Sequence, residues 1–117
     1  MDTIVAKYKK IARSVVEEVA AMSPEMEDGV ENQLITDDEH GHYLYFGVGW
    51  ELQSKRWFYA TFIHIDVKAT GRVWLQHDGT DLRIANLLVE KGIAQKDIVI
   101  GFQPPYVRET MVAFAAS

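Results

Sequence analysis

The chain has 117 residues, no cysteine, and 17 acidic against 12 basic side chains, for a net charge of −5. That size supports a single domain spanning residues 1–117 with one hydrophobic core, and a composition 48% hydrophobic and 25% charged excludes a disordered chain. Disulfides and thiolate chemistry are excluded, any zinc site would have to use His and carboxylates, and the acidic balance disfavours autonomous binding to nucleic-acid phosphates, which takes clustered Lys and Arg.

No apolar run approaches the ~20 residues that cross a bilayer, and Met1–Lys7 lacks the basic-then-apolar layout of a signal peptide. A cytoplasmic location with no membrane partner is expected, and contact with DNA is expected indirectly, through a basic partner.

Residues 3–22 read as an amphipathic helix. Ile4, Tyr8, Ile11, Val15, Val19 and Met22 recur every three or four positions, one face of a 3.6-residue period, and Asp2 or Thr3 is placed to cap the start. Lys7, Lys9, Lys10 and Arg13 make its first half basic. Such a run is ordinarily a solvated face; its functional reading is a nucleic-acid or acidic-partner contact. Ser23-Pro24 stops the helix, since the residue before proline avoids the helical region.

Asn32–Thr36 is a candidate first strand. Asp37-Asp38-Glu39 with His40 and His42 forms a polar hairpin turn. Read as a metal site it lacks the supporting shell that ligating histidines use, so it is taken as a solvated loop. Tyr43–Trp50 alternates Leu44, Phe46, Val48 and Trp50 with Tyr43, Tyr45, Gly47 and Gly49. The glycines on one face invite the close approach of another backbone or a bulky ring.

Trp57–Val67 and Arg72–Asp78 read as a hairpin through Lys68-Ala69-Thr70-Gly71. Pairing Val67 with Arg72 sets His64 opposite Leu75, Asp66 opposite Val73 and Phe62 opposite His77. His64, Asp66 and His77 then share one face, with Ile63, Ile65 and Trp74 on the other. A His beside a carboxylate is a candidate general base with its orienter, and two His with one carboxylate a candidate metal triad. On a strand the same residues are more often hydrogen-bonded structure. Asp78 before Gly79 is ordinarily a turn former, and Arg108 a partner for an acid or an anion. No serine elbow and no phosphate-cradling loop is present.

After the turn, Thr80 is a good N-cap for a helix over 81–91 that is apolar around most of its girth. That surface predicts a homodimer or higher oligomer. Gly92 fits the C′ position of a Schellman end, with Ile93 packing on Leu88. Ile98–Ile100 reads as a short strand, and Pro105 as an early position of a last helix over 106–116. The fold class is α+β: a long N-terminal helix on a mostly antiparallel sheet of four or five strands, followed by two shorter helices.

Gly71-Arg72-Val73-Trp74-Leu75-Gln76-His77-Asp78-Gly79-Thr80, then Ile84-Ala85-Asn86 with Leu88, Gly92-Ile93, Lys96-Asp97-Ile98-Val99-Ile100-Gly101-Phe102, and Pro104-Pro105 with Arg108 resemble the cyanobacterial XisI family, the fdxN-element excision controlling factors. The likeness extends to Val48-Gly49-Trp50, His64-Ile65-Asp66 and the N-terminal helix. Ala94 stands where the family usually has proline, and Glu109–Ala115 is out of register with the family's ending. The resemblance implies an accessory factor for a site-specific recombinase in heterocyst-forming cyanobacteria, acting with a XisH-like protein partner and without catalysis of its own. It supplies no catalytic residue, no metal and no cofactor. The alternatives are a small His/Asp metal or acid–base enzyme built on His64, Asp66 and His77, and a factor that binds DNA directly through Lys7–Arg13.

Overall fold

The computed structural model describes residues 3–117, Thr3 by its backbone only; the cap expected of Asp2 or the Thr3 side chain lies outside the described residues. Helix α1 (Thr3–Met22) is followed by β1 (Val30–Asp37), β2 (His42–Glu51), β3 (Arg56–Val67) and β4 (Val73–Asp78). Helix α2 (Ile84–Glu90), a 3-10 turn (Gln95–Asp97), β5 (Ile98–Ile100) and the one-turn helix α3 (Pro105–Arg108) complete the order. The five strands form one sheet in sequence order, antiparallel except for the parallel β4–β5 pair. The expected α+β architecture is what is seen.

Helix α1 buries Tyr8, Ala12, Val15, Val16 and Val19. The periodicity places Tyr8, Val15 and Val19 correctly, but its outer members Ile4 and Met22 remain 46% and 61% exposed. Ala12 and Val16 take their place because small side chains let the helix lie close to the sheet. The stripe meets Tyr43, Tyr45, Ile63, Ile65, Val67, Val73 and Leu75, and the core closes with Ile84, Leu88 and Ile93. Burying each aliphatic side chain contributes roughly 1.5–3 kcal/mol, so this single face supplies the main favourable energy of the fold.

Gly47 and Gly49 serve as their alternation suggests. A Cβ on Gly47 would lie 2.9 Å from Phe58 Cε1 and 3.3 Å from Phe62 Cζ, and one on Gly49 2.0 Å from the Gly29 carbonyl oxygen. The ring and the neighbouring strand occupy the space a side chain would need.

The second helix is shorter than expected. It starts at Ile84, with Arg83 in the left-handed region (φ 53°) at the N-cap position. Thr80 accepts from the Leu82 N–H instead of capping. The girth that looked apolar all round divides between the buried Ile84 and Leu88, the partly buried Ala85 and Leu87 packed on the same core, and an exposed remainder that includes Val89. Its C-terminus follows the expected Schellman pattern: the Ile93 N–H donates to Leu88 O and the Gly92 N–H to Val89 O, with Gly92 at φ 116°. The last helix is only Pro105–Arg108. Beyond it the chain runs back to the sheet, where Ala115 bridges Val99.

Helix α1 is tied to the β1–β2 turn by Arg13, whose Nε and Nη2 donate to Asp38 at 2.8–3.2 Å. The buried Tyr43 hydroxyl donates to the same carboxylate at 2.9 Å. These hydrogen bonds, Arg13 first, hold Asp38 below the usual carboxylate range. A lowered folded value contributes stability that is complete above the ordinary carboxylate pKa of about 4 and is lost as pH falls through the lowered one. The Arg13–Asp38 pair is partly in solvent, so the effect is small. The thermal midpoints of the wild type and Arg13→Met are therefore expected to converge as pH falls below about 4. A gap that stays constant into acid would place Arg13's contribution in packing instead.

Candidate functional site

One sheet face is covered by α1; the other is open over β2 and β3, while at β4 Arg108 lies over the Trp74 ring. Along the open face the strands bring together two unlike groups of residues, a polar cluster at the end nearest the β1–β2 turn and an aromatic field at the other.

The polar cluster is set by register. His42 opens β2 and pairs with Asp66 of β3. Asp66 pairs in turn with Trp74 of β4, Val67 with Val73 and Ile65 with Leu75. This is one residue away from the expected Val67–Arg72 pairing. A bulge at Gln76 then shifts the ladder, so that His64 faces His77 and Ile63 faces Asp78. The expected set is corrected in part: Trp74 shares a row with Asp66, His77 still faces His64, and the imidazoles that reach Asp66 are those of His42 and His64. His42 belongs to β2 and not to the turn: the partner that shows this lies 24 residues away, and the signal within the strand itself is its period-two phase with Leu44 and Phe46.

His42 Nδ1 lies 2.8 Å and His64 Nε2 2.9 Å from Asp66 Oδ1, each donating when that nitrogen carries the proton. Gln76 Nε2 donates to Asp66 Oδ2 at 3.1 Å. Asp66 is 6% exposed, the buried charged side chain among the described residues. Burial pushes its carboxyl up, but the hydrogen bonds from His42 and Gln76 and the proximity of His64 outweigh that and hold it below its ordinary range. A charge is thus kept inside the sheet because each oxygen is satisfied.

The aromatic field occupies the β2–β3 half of the face. Trp50 and Trp57 are cross-strand partners with ring centroids 5.5 Å apart, and Phe46 meets Tyr59 edge-on at 6.0 Å. Trp50, Trp57 and Tyr59 are 58%, 54% and 70% exposed, with Ile35 of β1 at 47%. Individually exposed apolar residues are ordinary; a contiguous group of large aromatics marks an interaction surface. On the helix side, a separate cavity of about 580 Å³ lies between the end of α1 and the 79–82 loop, floored by Tyr45 and Phe62.

The remaining candidates have structural employment. Asp78 accepts from Thr80 N–H, Thr80 Oγ1 and the Ile84 N–H. Arg108, expected to partner an acid or an anion, meets no acid among the described residues: its Nη1 donates to Gln103 O at 2.7 Å and its Nε to Ala116 O at 2.8 Å, and its guanidinium lies 5.2 Å over the Trp74 ring. Of the basic helix residues, Arg13 also contacts Glu17, and Lys9 donates to the Glu39 carbonyl. Lys7 and Lys10 are exposed.

The XisI protein family model matches residues 1–116. The chain belongs to the XisI family. Its fold resembles two solved members from Anabaena variabilis. One, a XisI-like protein, is 35% identical with a TM-score of 0.85, covering 95% of this chain and 98% of that one. The other, the fdxN element excision controlling factor XisI, is 25% identical with a TM-score of 0.84, covering 97% and 99%. A search of curated proteins returns no match. For this XisI-family chain, no helix among the described residues is long and apolar enough to cross a membrane.

Proposed function

We propose that the chain is an accessory factor for the excision of a DNA element by a site-specific recombinase, acting in the cytoplasm by binding a XisH-like protein and performing no catalysis of its own. The observation that carries this reading is the open aromatic field around Trp50 and Trp57. Membership of a family whose solved relative is called an excision controlling factor supports the setting. The field supports the mode: aromatic anchors, Trp above all, supply most of the energy at protein interfaces. The net charge of −5 favours contact with DNA through the partner.

Coexpression with a XisH-like protein from the same genome tests this. The expected result is a complex that survives gel filtration at micromolar concentration; separate elution would overturn it. A salt-sensitive gel shift by the isolated chain on element-end DNA would favour direct contact through Lys7 and Lys10 instead. A homodimer or higher oligomer is proposed beside this complex, through exposed apolar side chains outside the aromatic field such as Leu82 and Val89, and light scattering of the isolated chain decides it.

A further inference from the structure

The geometry of His42, His64 and Asp66 points to a binding site for a first-row divalent cation of the zinc type. It goes beyond the adaptor reading and stands whether or not a XisH-like partner is captured.

The ligand atoms already converge. His42 Nδ1, His64 Nε2 and Asp66 Oδ1 lie within 4.8 Å of one another, and both nitrogens approach the one oxygen, at 2.8 and 2.9 Å. Zinc bound at ~2.0–2.1 Å in a tetrahedron separates its ligand atoms by about 3.3 Å. A cation therefore enters if each imidazole withdraws from the carboxylate by about half an ångström. Both side chains have solvent beside them, His42 being 48% and His64 32% exposed, while Asp66 is fixed in the sheet.

The carboxylate is also oriented from behind. Gln76 Nε2 holds Asp66 Oδ2, which leaves Oδ1 facing the two imidazoles. Such outer hydrogen bonds are what metal-ligating carboxylates and histidines use. Electrostatics favours the same occupant: Asp66 is a buried carboxylate, and a dication set against its Oδ1 places positive charge beside it. Two imidazole nitrogens with one carboxylate oxygen select zinc and its transition-metal neighbours over magnesium and calcium, which prefer all-oxygen shells.

Binding needs no redox step. In neutral imidazole the proton moves from Nδ1 to Nε2 of His42 and from Nε2 to Nδ1 of His64, so that each ligating nitrogen offers a lone pair. Three protein ligands leave a fourth position open toward the solvent-facing side of the sheet for water.

The test is calorimetric titration of ZnCl2 into the chelator-stripped full chain, with CoCl2 followed by visible absorption and MgCl2 as the comparison. One Zn²⁺ per chain is expected, with the absorption band of low-coordinate Co²⁺ and no heat from Mg²⁺. His42→Gln and His64→Gln should each weaken Zn²⁺ binding about 100-fold, and Gln76→Ala about 10-fold, in the range of ligand-orienting contacts. His40→Gln and His77→Gln should leave it unchanged. Circular dichroism of each variant separates loss of binding from loss of fold; the exposed His42→Gln is the variant expected to stay native. No heat and no Co²⁺ band in the wild type overturns the site. So does binding that survives both His42→Gln and His64→Gln, that is lost in His40→Gln or His77→Gln, or that Mg²⁺ matches.

Discussion

Asp78→Ala is expected to cost about 3 kcal/mol of folding stability, from two backbone N–H groups that each lose a charged acceptor. The carboxylate sits at the end of β4 and reaches both ways: Oδ1 takes the Thr80 N–H and hydroxyl, and Oδ2 takes the Ile84 N–H at 3.0 Å. Ile84 is the first residue of α2 and is fully buried. The side chain therefore caps a helix that begins six residues later, across a loop that places Arg83 in the left-handed region. Asp78→Asn keeps one acceptor oxygen and should lose roughly half as much. Against a total stability of about 5–15 kcal/mol, Asp78→Ala should shift the urea midpoint strongly with an unchanged slope. A midpoint near wild type would mean that the loop repairs itself with water, and that Asp78 is free for another task.

The opposite pattern is expected of Trp50→Ser with Trp57→Ser. Each ring is more than half exposed, so its loss costs the isolated chain little beyond the ring–ring contact, about 0.5–1.5 kcal/mol. If the aromatic field is the docking surface, each ring is an anchor of about 2 kcal/mol or more, a loss of roughly 30-fold in affinity. The double variant should then bind a XisH-like protein more than about 100-fold more weakly, read by calorimetry, while melting close to wild type. Full affinity in the double variant would move the interface elsewhere.

Much of the fold is legible because its signals are local. The Schellman end needs only a glycine and an apolar residue at fixed offsets, and Gly92 and Ile93 provide them. The stop at Ser23-Pro24, the alternation of β2 and the glycines that admit Phe58 and Phe62 are likewise properties of neighbouring residues. What escaped is set at a distance. Whether Val67 pairs with Arg72 or Val73 changes every facing partner, and no residue of the loop between them announces which. His42 joins Asp66 only once β2 lies beside β3. Arg108 finds backbone carbonyls instead of an acid because the chain after α3 folds back toward β5, a course that neither composition nor periodicity encodes.

The bulge at Gln76 has one more consequence. Removing this residue would rejoin two lengths of ladder already in step: Val67–Val73 to Ile65–Leu75 on one side, His64–His77 and Ile63–Asp78 on the other. The parallel pairing with β5 ends at Leu75 and would be untouched. A single-codon deletion there should thus be tolerated by the sheet, removing chiefly the amide that steadies Asp66. A tolerated deletion would mark Gln76 as spare to the ladder, with gain or loss of one codon enough to install or dismantle the support behind the carboxylate.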